Sequence, residues 1–222
     1  MSPPKAFVSW SSGKDSAWAL HKARRLGLAD IVGVLTTITE PYDRVAMHGV
    51  RNTLLDRQIA ALNVPIIKVP LPSPCSNEIY EARMTEACAH ITAQGVNHII
   101  FGDLFLEDLR QYREEKLALV GMHALFPLWG RDTATLARQM IDGGLEARIT
   151  CLDPRKLDPK FAGRRFDAAL LAELPHTVDP CGENGEFHTI VTAGPMFNAP
   201  IAVHDGEVVE REGFVFADVI PG

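Results

Sequence analysis

Apolar and polar positions fall into short blocks along this chain, and the blocks switch period in a regular order. Ala6 to Trp10 is an apolar run that reads as a buried strand. After it, Trp18, Leu20, Ala23 and Leu26 recur at a spacing that places them on one face of a helix. Ile31 to Ile38 is apolar and β-branched, a second buried strand. A polar loop, Thr39 to Met47, leads to a helix over Val50 to Leu62. Pro65 to Val69 is a third strand, and Pro70, Pro72 and Pro74 bar regular structure until a long helix over Asn77 to Gln94, closed by Gly95. His98 to Phe101 is a fourth strand, Leu109 to Met122 a helix, and Ala124 to Phe126 a short strand. Thr133 to Ile141 is a helix capped by Asp132 and stopped at Gly143-Gly144, and Ala147 to Leu152 is another strand.

Alternation of strand and helix from Lys5 to Cys151 calls for right-handed βαβ units and a parallel sheet covered on both faces. The expected core, residues 1–152, is therefore α/β, doubly wound and Rossmann-like. Ligands of such folds sit at the carboxyl ends of the strands, so Ser11, Thr39, Gly102, Pro127 and Asp153 are expected to rim one face. Beyond Asp153 the rhythm changes. A polar stretch, a short helix over Phe166 to Leu174 and strands over Glu186 to Thr192, Ala202 to His204 and Glu207 to Val219 predict a small α+β appendage, 153–222, with a hairpin turn at Asp205-Gly206. It is not expected to fold on its own.

Composition narrows the choice. A chain of 222 residues is large enough for a three-layer core. Its net charge of −6 implies no general attraction to nucleic acid or membrane, so an anionic ligand has to be held by local groups. The four cysteines, Cys75, Cys88, Cys151 and Cys181, form no C-x-x-C pair, which fits a reducing compartment such as the cytoplasm. No apolar run reaches membrane-spanning length, and the first residues run into the first strand with no signal peptide expected. An oligomeric state is not fixed by any of this, and a homo-oligomer is left open.

Two stretches carry the candidate chemistry. The first is Ser11-Ser12-Gly13-Lys14-Asp15-Ser16, between a strand and a helix. Free backbone N–H groups and the positive helix end converge there, and the order strand, small-residue turn, helix builds an anion site. Lys14 adds a charge, with its side chain expected to reach solvent or ligand. The stretch is not a Walker A loop, which would need Gly at Val8 and Ser or Thr at Asp15. An ordinary strand–helix turn with a serine cap is the alternative. The second stretch is His176 to Thr189, where Cys181-Gly182-Glu183-Asn184-Gly185-Glu186-Phe187-His188 precedes a strand. Its carboxylates could hold a metal, bind an amine or act as bases, and the alternative is a solvated turn.

Ser-Ser-Gly-Lys-Asp-Ser resembles the PP-loop, Ser-Gly-Gly-Lys-Asp-Ser, of the ATP pyrophosphatases of the adenine nucleotide alpha hydrolase-like (HUP) superfamily. Taken with the Cys181–Thr189 stretch, with Gly102-Asp103 running to Arg110, Arg113 and Glu114, and with Pro127-Leu128-Trp129, the chain resembles the diphthine–ammonia ligase family over nearly its whole length. It departs from the pattern at Ser12 and Asn184, where the family has Gly, and at Phe187, where it has Tyr. Ser fits position 12 if φ stays negative and is costly if the turn needs φ above zero.

The resemblance implies a reaction in two steps with ATP and Mg²⁺. A carboxylate attacks the α-phosphorus and expels pyrophosphate, and ammonia or an amine then displaces AMP. In family members whose substrate is diphthine, the acceptor is a modified histidine of translation elongation factor 2. For this chain the acceptor is left open between that group and an unknown small molecule. Ser11, Ser12 and Gly13, with Lys14 and Ser16, would hold phosphates, helped by Gly102, Asp103, Arg110 and Arg113, with solvated helix charges the alternative for the two arginines. His48 lies where related folds bind adenine, and serves equally as a structural histidine. Asp15 and Asp103 are the candidate Mg²⁺ carboxylates, although Asp15 serves equally as a helix cap. Glu183, Glu186 and His188 would face the acceptor or ammonia. Two other readings stay open: a non-catalytic ATP or AMP sensor on the same fold, and a PP-loop enzyme with another small-molecule or tRNA acceptor. A buried, inert Cys181 is expected, and the acidic balance disfavours tRNA thiolation.

Overall fold

In a computed structural model describing residues 2–222, the chain forms two sheets that share one apolar core. The larger sheet contains β1 (Lys5–Ser9), β2 (Asp30–Thr39), β3 (Arg44–Val45), β4 (Ile66–Leu71), β5 (His98–Ile100) and β6 (His123–Leu125). Its parallel strands run β4-β2-β1-β5-β6, and the short β3 is antiparallel to the end of β2. The helices between them are α1 (Lys14–Leu26), α2 (Asn52–Leu62), α3 (Asn77–Ala93) and α4 (Glu107–Ala118).

Side-chain alternation along the central strand sends Ala6 and Val8 into the core under α1 and α2, and Phe7 into a second core with Cys88, Ile91 and Leu117 from α3 and α4. The sheet is therefore covered on both faces. Burying a side chain such as Phe7 contributes about 1.5–3 kcal/mol, and its neighbour Gly33 is bare because a Cβ there would strike the Phe7 ring. The first helix stops at Gly27, whose φ of +62° suits glycine, and Leu28 N–H closes the end on the Ala23 carbonyl at 3.0 Å. The chain leaves β1 toward β2 on one side and later returns to β5 on the other. The crevice outside the ends of β1 and β5 is thus the point where winding reverses.

The smaller sheet is antiparallel, in the order β8-β7-β10-β9, from β7 (Glu146–Leu152), β8 (Phe187–Ala193), β9 (Val203–Arg211) and β10 (Phe214–Pro221). Helices α5 (Thr133–Asp142) and α6 (Ala168–Glu173) accompany it. Two expectations are corrected here. The strand over Ala147 to Leu152 does not extend the parallel sheet. It sits between β8 and β10, so the chain changes sheets between β6 and β7, ahead of Leu152. The hairpin turn is not at Asp205-Gly206, which lies inside β9, but at Glu212-Gly213, where φ is +52° and +78° in succession as a tight hairpin requires. Gly206 faces the irregular register near Asp218, and a Cβ there would come within 2.9 Å of the Asp218 Cβ. Its glycine serves close strand approach, a use indistinguishable from a turn in the sequence.

Candidate active site

The phosphate-type loop lies at the winding reversal, and the smaller sheet braces it from behind. Ser11 N–H donates to Ser16 Oγ at 3.3 Å, and Ser16 Oγ–H donates to the Gly13 carbonyl at 3.0 Å. Strand β8 contributes two further bonds. Val191 N–H donates to the Ser12 carbonyl at 2.9 Å, and Lys14 N–H donates to Thr189 Oγ1 at 3.1 Å. The wholly buried Gln58 then ties three segments together. Its amide donates to the carbonyls of Ser12 (3.1 Å) and Val191 (2.8 Å) and accepts from the Trp10 indole at 3.0 Å. Sequence reasoning missed Gln58, and its one signal was a polar residue on the apolar side of α2.

A cavity of about 240 Å³ opens in front of this loop. Of the expected residues, Ser11, Lys14, Asp15 and Ser16 line it from the loop, with Gly102 and Asp103 after β5 and His48, Glu183 and His188 from the other segments. Gly102 has to be glycine: a Cβ would come 2.7 Å from the Asp15 carbonyl carbon and 2.8 Å from Ser16 N, so the end of β5 lies directly on the start of α1. The helix geometry leaves the first-turn N–H groups of Asp15 and Ser16 without helical acceptors at this spot.

Ser12 is buried beneath the loop at φ +69°, with its Oγ lacking a partner. This is the costly alternative for a residue with a side chain. Lys14 also departs from expectation. Its side chain turns inward and is 2% exposed. The ammonium sits 2.7 Å from Asp15 Oδ2, donates to the Cys181 carbonyl, and lies over the Phe166 and Phe187 rings. Burial is the largest influence and opposes its charge, but Asp15, with Cys181 and Glu183 adding to it, outweighs burial and lifts the ammonium pKa above its ordinary value. Lys14 thus clamps the loop to the Cys181 segment with its charge intact.

That segment is folded by its own carboxylates. Asp179 Oδ2 accepts from the N–H groups of Cys181 (3.1 Å) and Glu183 (3.0 Å), and Gly182 and Gly185 take φ of +70° and +78°. Glu186, expected at the acceptor, lies beneath the segment instead. It is buried, outside the cavity lining, and its Oε1 accepts from Asp179 N–H (2.9 Å) and Asn184 Nδ2 (3.1 Å). Glu183 is the carboxylate that reaches the cavity, accepting from Leu104 N–H at 2.7 Å. Burial pushes its pKa up to about 7. The Leu104 bond lowers it in part, and the nearby Asp15 and Asp103 raise it again.

His48 and His188 stand side by side, ring centroids 4.7 Å apart. His48 Nδ1–H donates to the Thr189 carbonyl at 2.9 Å, which leaves its Nε2 an acceptor. A Cβ on Gly13 would come 2.5 Å from His48 Cε1, so the ring rests on the phosphate-type loop itself. Burial drives both imidazoles down, His48 to about 3 with His188 adding to the effect, and His188 to about 4 with Lys14 adding to it. Both rings are neutral near pH 7. Arg113, not Arg110, lines the cavity. It lies over Phe101 and meets Asp103, with Nε 3.0 Å from Oδ2. Arg110 sits outside, over Phe126 and Trp129 and paired with Glu114. Cys181 is buried and its thiol pKa is pushed up by burial, so it carries no thiolate.

Among the described residues no three His, Cys, Asp or Glu side chains stand close enough to hold a metal ion by themselves. Two carboxylate oxygens on the cavity are buried without a hydrogen-bond partner, Asp15 Oδ1 and Asp103 Oδ2, and the second is matched by the Arg113 charge. That suits Mg²⁺, which takes one or two carboxylates and fills its shell with water and ligand phosphates. Asp103 is already engaged by Arg113. Among the described residues no helix is long and apolar enough to cross a membrane.

Residues 4–124 match the diphthamide synthase N-terminal domain, and residues 132–218 match the diphthamide synthase C-terminal domain. The chain is similar to the Homo sapiens protein named diphthine–ammonia ligase, 33% identical over 120 residues, which is 51% of this chain and 45% of that protein. It is 32% identical over 120 residues to the Danio rerio protein of the same name, covering 51% and 47%. The Schizosaccharomyces pombe counterpart is 33% identical over 96 residues, covering 41% and 16%. The chain spans about half the length, or less, of these curated relatives.

Proposed function

The chain belongs to the diphthamide synthase family, and we propose that it is an ATP-dependent ligase that joins ammonia to a carboxylate acceptor and releases AMP and pyrophosphate. The single observation that carries this reading is one cavity, at the winding reversal of the sheet, that joins a helix-start anion site to a carboxylate titrating near 7. ATP phosphates would lie against the start of α1, held by the N–H groups of Asp15 and Ser16 and the hydroxyl of Ser11. Mg²⁺ would be held by Asp15 and would neutralise charge on the departing pyrophosphate.

In the first step a carboxylate oxygen of the acceptor attacks the α-phosphorus. The bond to the bridging oxygen breaks, and pyrophosphate leaves with the electron pair. In the second step ammonia attacks the acyl carbon, AMP leaves, and the amide remains. Glu183 takes the proton that nitrogen must lose, a task suited to a group with a pKa near the working pH. Arg113 stands on the same cavity as a charge for phosphate, and Lys14 acts indirectly by holding the Cys181–Glu183 segment against the loop. The acceptor follows the relatives' name as diphthine or is a free small acid. The four unpaired cysteines suit the cytoplasm.

The test is incubation with ATP, Mg²⁺, ammonium and a panel of carboxylates that includes diphthine-bearing elongation factor 2. AMP, pyrophosphate and one amide in equal amounts are expected. ADP and phosphate as the nucleotide products would overturn the reading.

A further inference from the structure

A second cavity, of about 380 Å³, lies between the 42–51 segment and the smaller sheet. One row of cross-strand neighbours links it to the first. His188 on β8 stands opposite Cys151 on β7, Cys151 opposite Phe216 on β10, and Phe216 opposite Val209 on β9. Directly opposed residues point to the same side of a sheet, so the four form one strip. His188 lines the first cavity, and the other three line the second. The covering segment is divided in the same way. His48 faces the first cavity, while Met47 and Gly49 line the second. Gly49, at φ +66°, lets that segment lie on the Phe216 ring, where a Cβ would come within 2.8 Å. The cavities are thus neighbours along a single sheet face, separated by the width of the His48 segment.

The lining of the second cavity describes its guest. Phe214, Phe216 and Val209 give it an apolar floor, and Tyr42 and Met47, 50% and 59% exposed, stand at its edge. At one end Arg44 and Arg51 both spend themselves on a single carboxylate, Asp218, at 2.8 and 2.5 Å. Two guanidiniums on one carboxylate leave a positive excess at this end, and the Arg44 and Arg51 N–H groups not used on Asp218 and Gly49 are planar donors suited to an acid group; Arg211, Glu207 and Glu212 carry the remaining, net negative, charge of the lining. The volume falls within the range of small-molecule sites.

We propose that this cavity binds the body of the acceptor: a small amphipathic acid whose apolar or ring-bearing part rests on Phe216 and Val209 and whose remote anionic group meets Arg44 and Arg51, while its reacting carboxylate points toward His48 and His188. The assignment of the guest as acceptor rests on the ligase reading. The binding chemistry stands apart from it.

The probe is 1-anilinonaphthalene-8-sulfonate, a flat apolar body with an anionic group, titrated by fluorescence against the full chain. One site per chain is expected, undiminished by saturating ATP. Val209→Trp fills the floor from an edge strand, and Arg51→Gln removes one anion contact. Each is expected to weaken the probe at least tenfold with ATP affinity unchanged, and Arg51→Gln, which leaves Asp218 with Arg44 alone, lowers the melting temperature by a few degrees without unfolding the chain. Unchanged probe affinity in both variants, or displacement of the probe by ATP, would overturn the proposal. Should Val209→Trp fail to fold, Arg51→Gln decides alone. Carboxylates that displace the probe are then offered with ATP and ammonium. An amide from one of them supports the acceptor role. If displacing acids yield no AMP and elongation factor 2 does, the acceptor assignment falls while the ligase reading stands. If nothing yields AMP, the ligase reading fails and the cavity remains a binding site for small acids.

Discussion

Lys14→Met removes a buried ammonium and keeps most of the volume, and its consequences follow from what the ammonium touches. Asp15, three-quarters covered, would lose the cation it is paired with, and the Cys181 carbonyl would lose its Lys14 donor. Removing one member of a buried ion pair costs about 3–5 kcal/mol, and the partial exposure of Asp15 argues for the lower end. In a chain of this size each kcal/mol moves the melting temperature by about 2–4 °C, so a fall of about 6–12 °C is expected. The companion Lys14→Met/Asp15→Asn variant carries no stranded charge and should recover part of the loss, the excess over additivity measuring the pair. The pH dependence has a definite sign. Burial already holds the Asp15 carboxyl above its unfolded pKa with Lys14 beside it, and losing Lys14 removes the influence that opposes the rise, so its contribution to stability is present at low pH and lost as pH rises through the folded value. The Lys14→Met deficit should therefore be smaller at pH 5 than at pH 8. Thermal denaturation at both pH values, with ATP affinity by calorimetry, is the assay. A Lys14→Met protein that melts like the parent but has lost ATP binding would refute the clamp and return Lys14 to the phosphates.

Glu183→Gln should reduce amide formation by about 10²–10⁴-fold while ATP affinity holds. The parent's kcat/KM should rise with pH through about 7 and the variant's should lack that limb, so a limb surviving in the variant would assign it elsewhere. Because the folded pKa of Glu183 lies above the unfolded 4.5, its stabilising contribution is complete below 4.5 and lost as pH rises through about 7. Glu183→Gln should therefore gain on the parent in melting temperature between pH 5 and 8. Ser12→Gly removes a left-handed backbone cost and a buried hydroxyl without a partner, and should stabilise the chain by about 1 kcal/mol; a lower melting temperature would mean that Ser12 Oγ has a role. His48 and His188, with pKa values near 3 and 4, should show no imidazole titration by NMR from about pH 8 down to about pH 5. A midpoint near 6.5 in either would place that ring in solvent.

The chain by itself determined what depends on neighbours in sequence. Apolar runs and helical spacing marked most elements, because strand and helix periods are written in consecutive residues, and Ser11 to Ser16 was legible as a small-residue turn between a strand and a helix. The late glycine- and acid-rich stretch was legible as a loop, but only the resemblance pointed its carboxylates at a ligand, and nothing in the residues separated Glu183, which reaches the cavity, from Glu186, which does not. Direction and partner were not legible. The strand at Glu146–Leu152 has the same apolar pattern whether it pairs in parallel or between β8 and β10, and only packing chose the second sheet. Asp205-Gly206 looks like a turn until the closeness of Asp218 explains the glycine. Lys14 and Glu186 carry the charges expected of site residues, yet tertiary contacts took one inward to Cys181 and set the other under Asp179, while Gln58, anonymous in α2, became the brace behind the loop. The physical reason is common to all of them. Backbone conformation is chosen by local sterics and hydrogen bonding, whereas the fate of a polar side chain depends on which distant segment supplies its partner once water is gone.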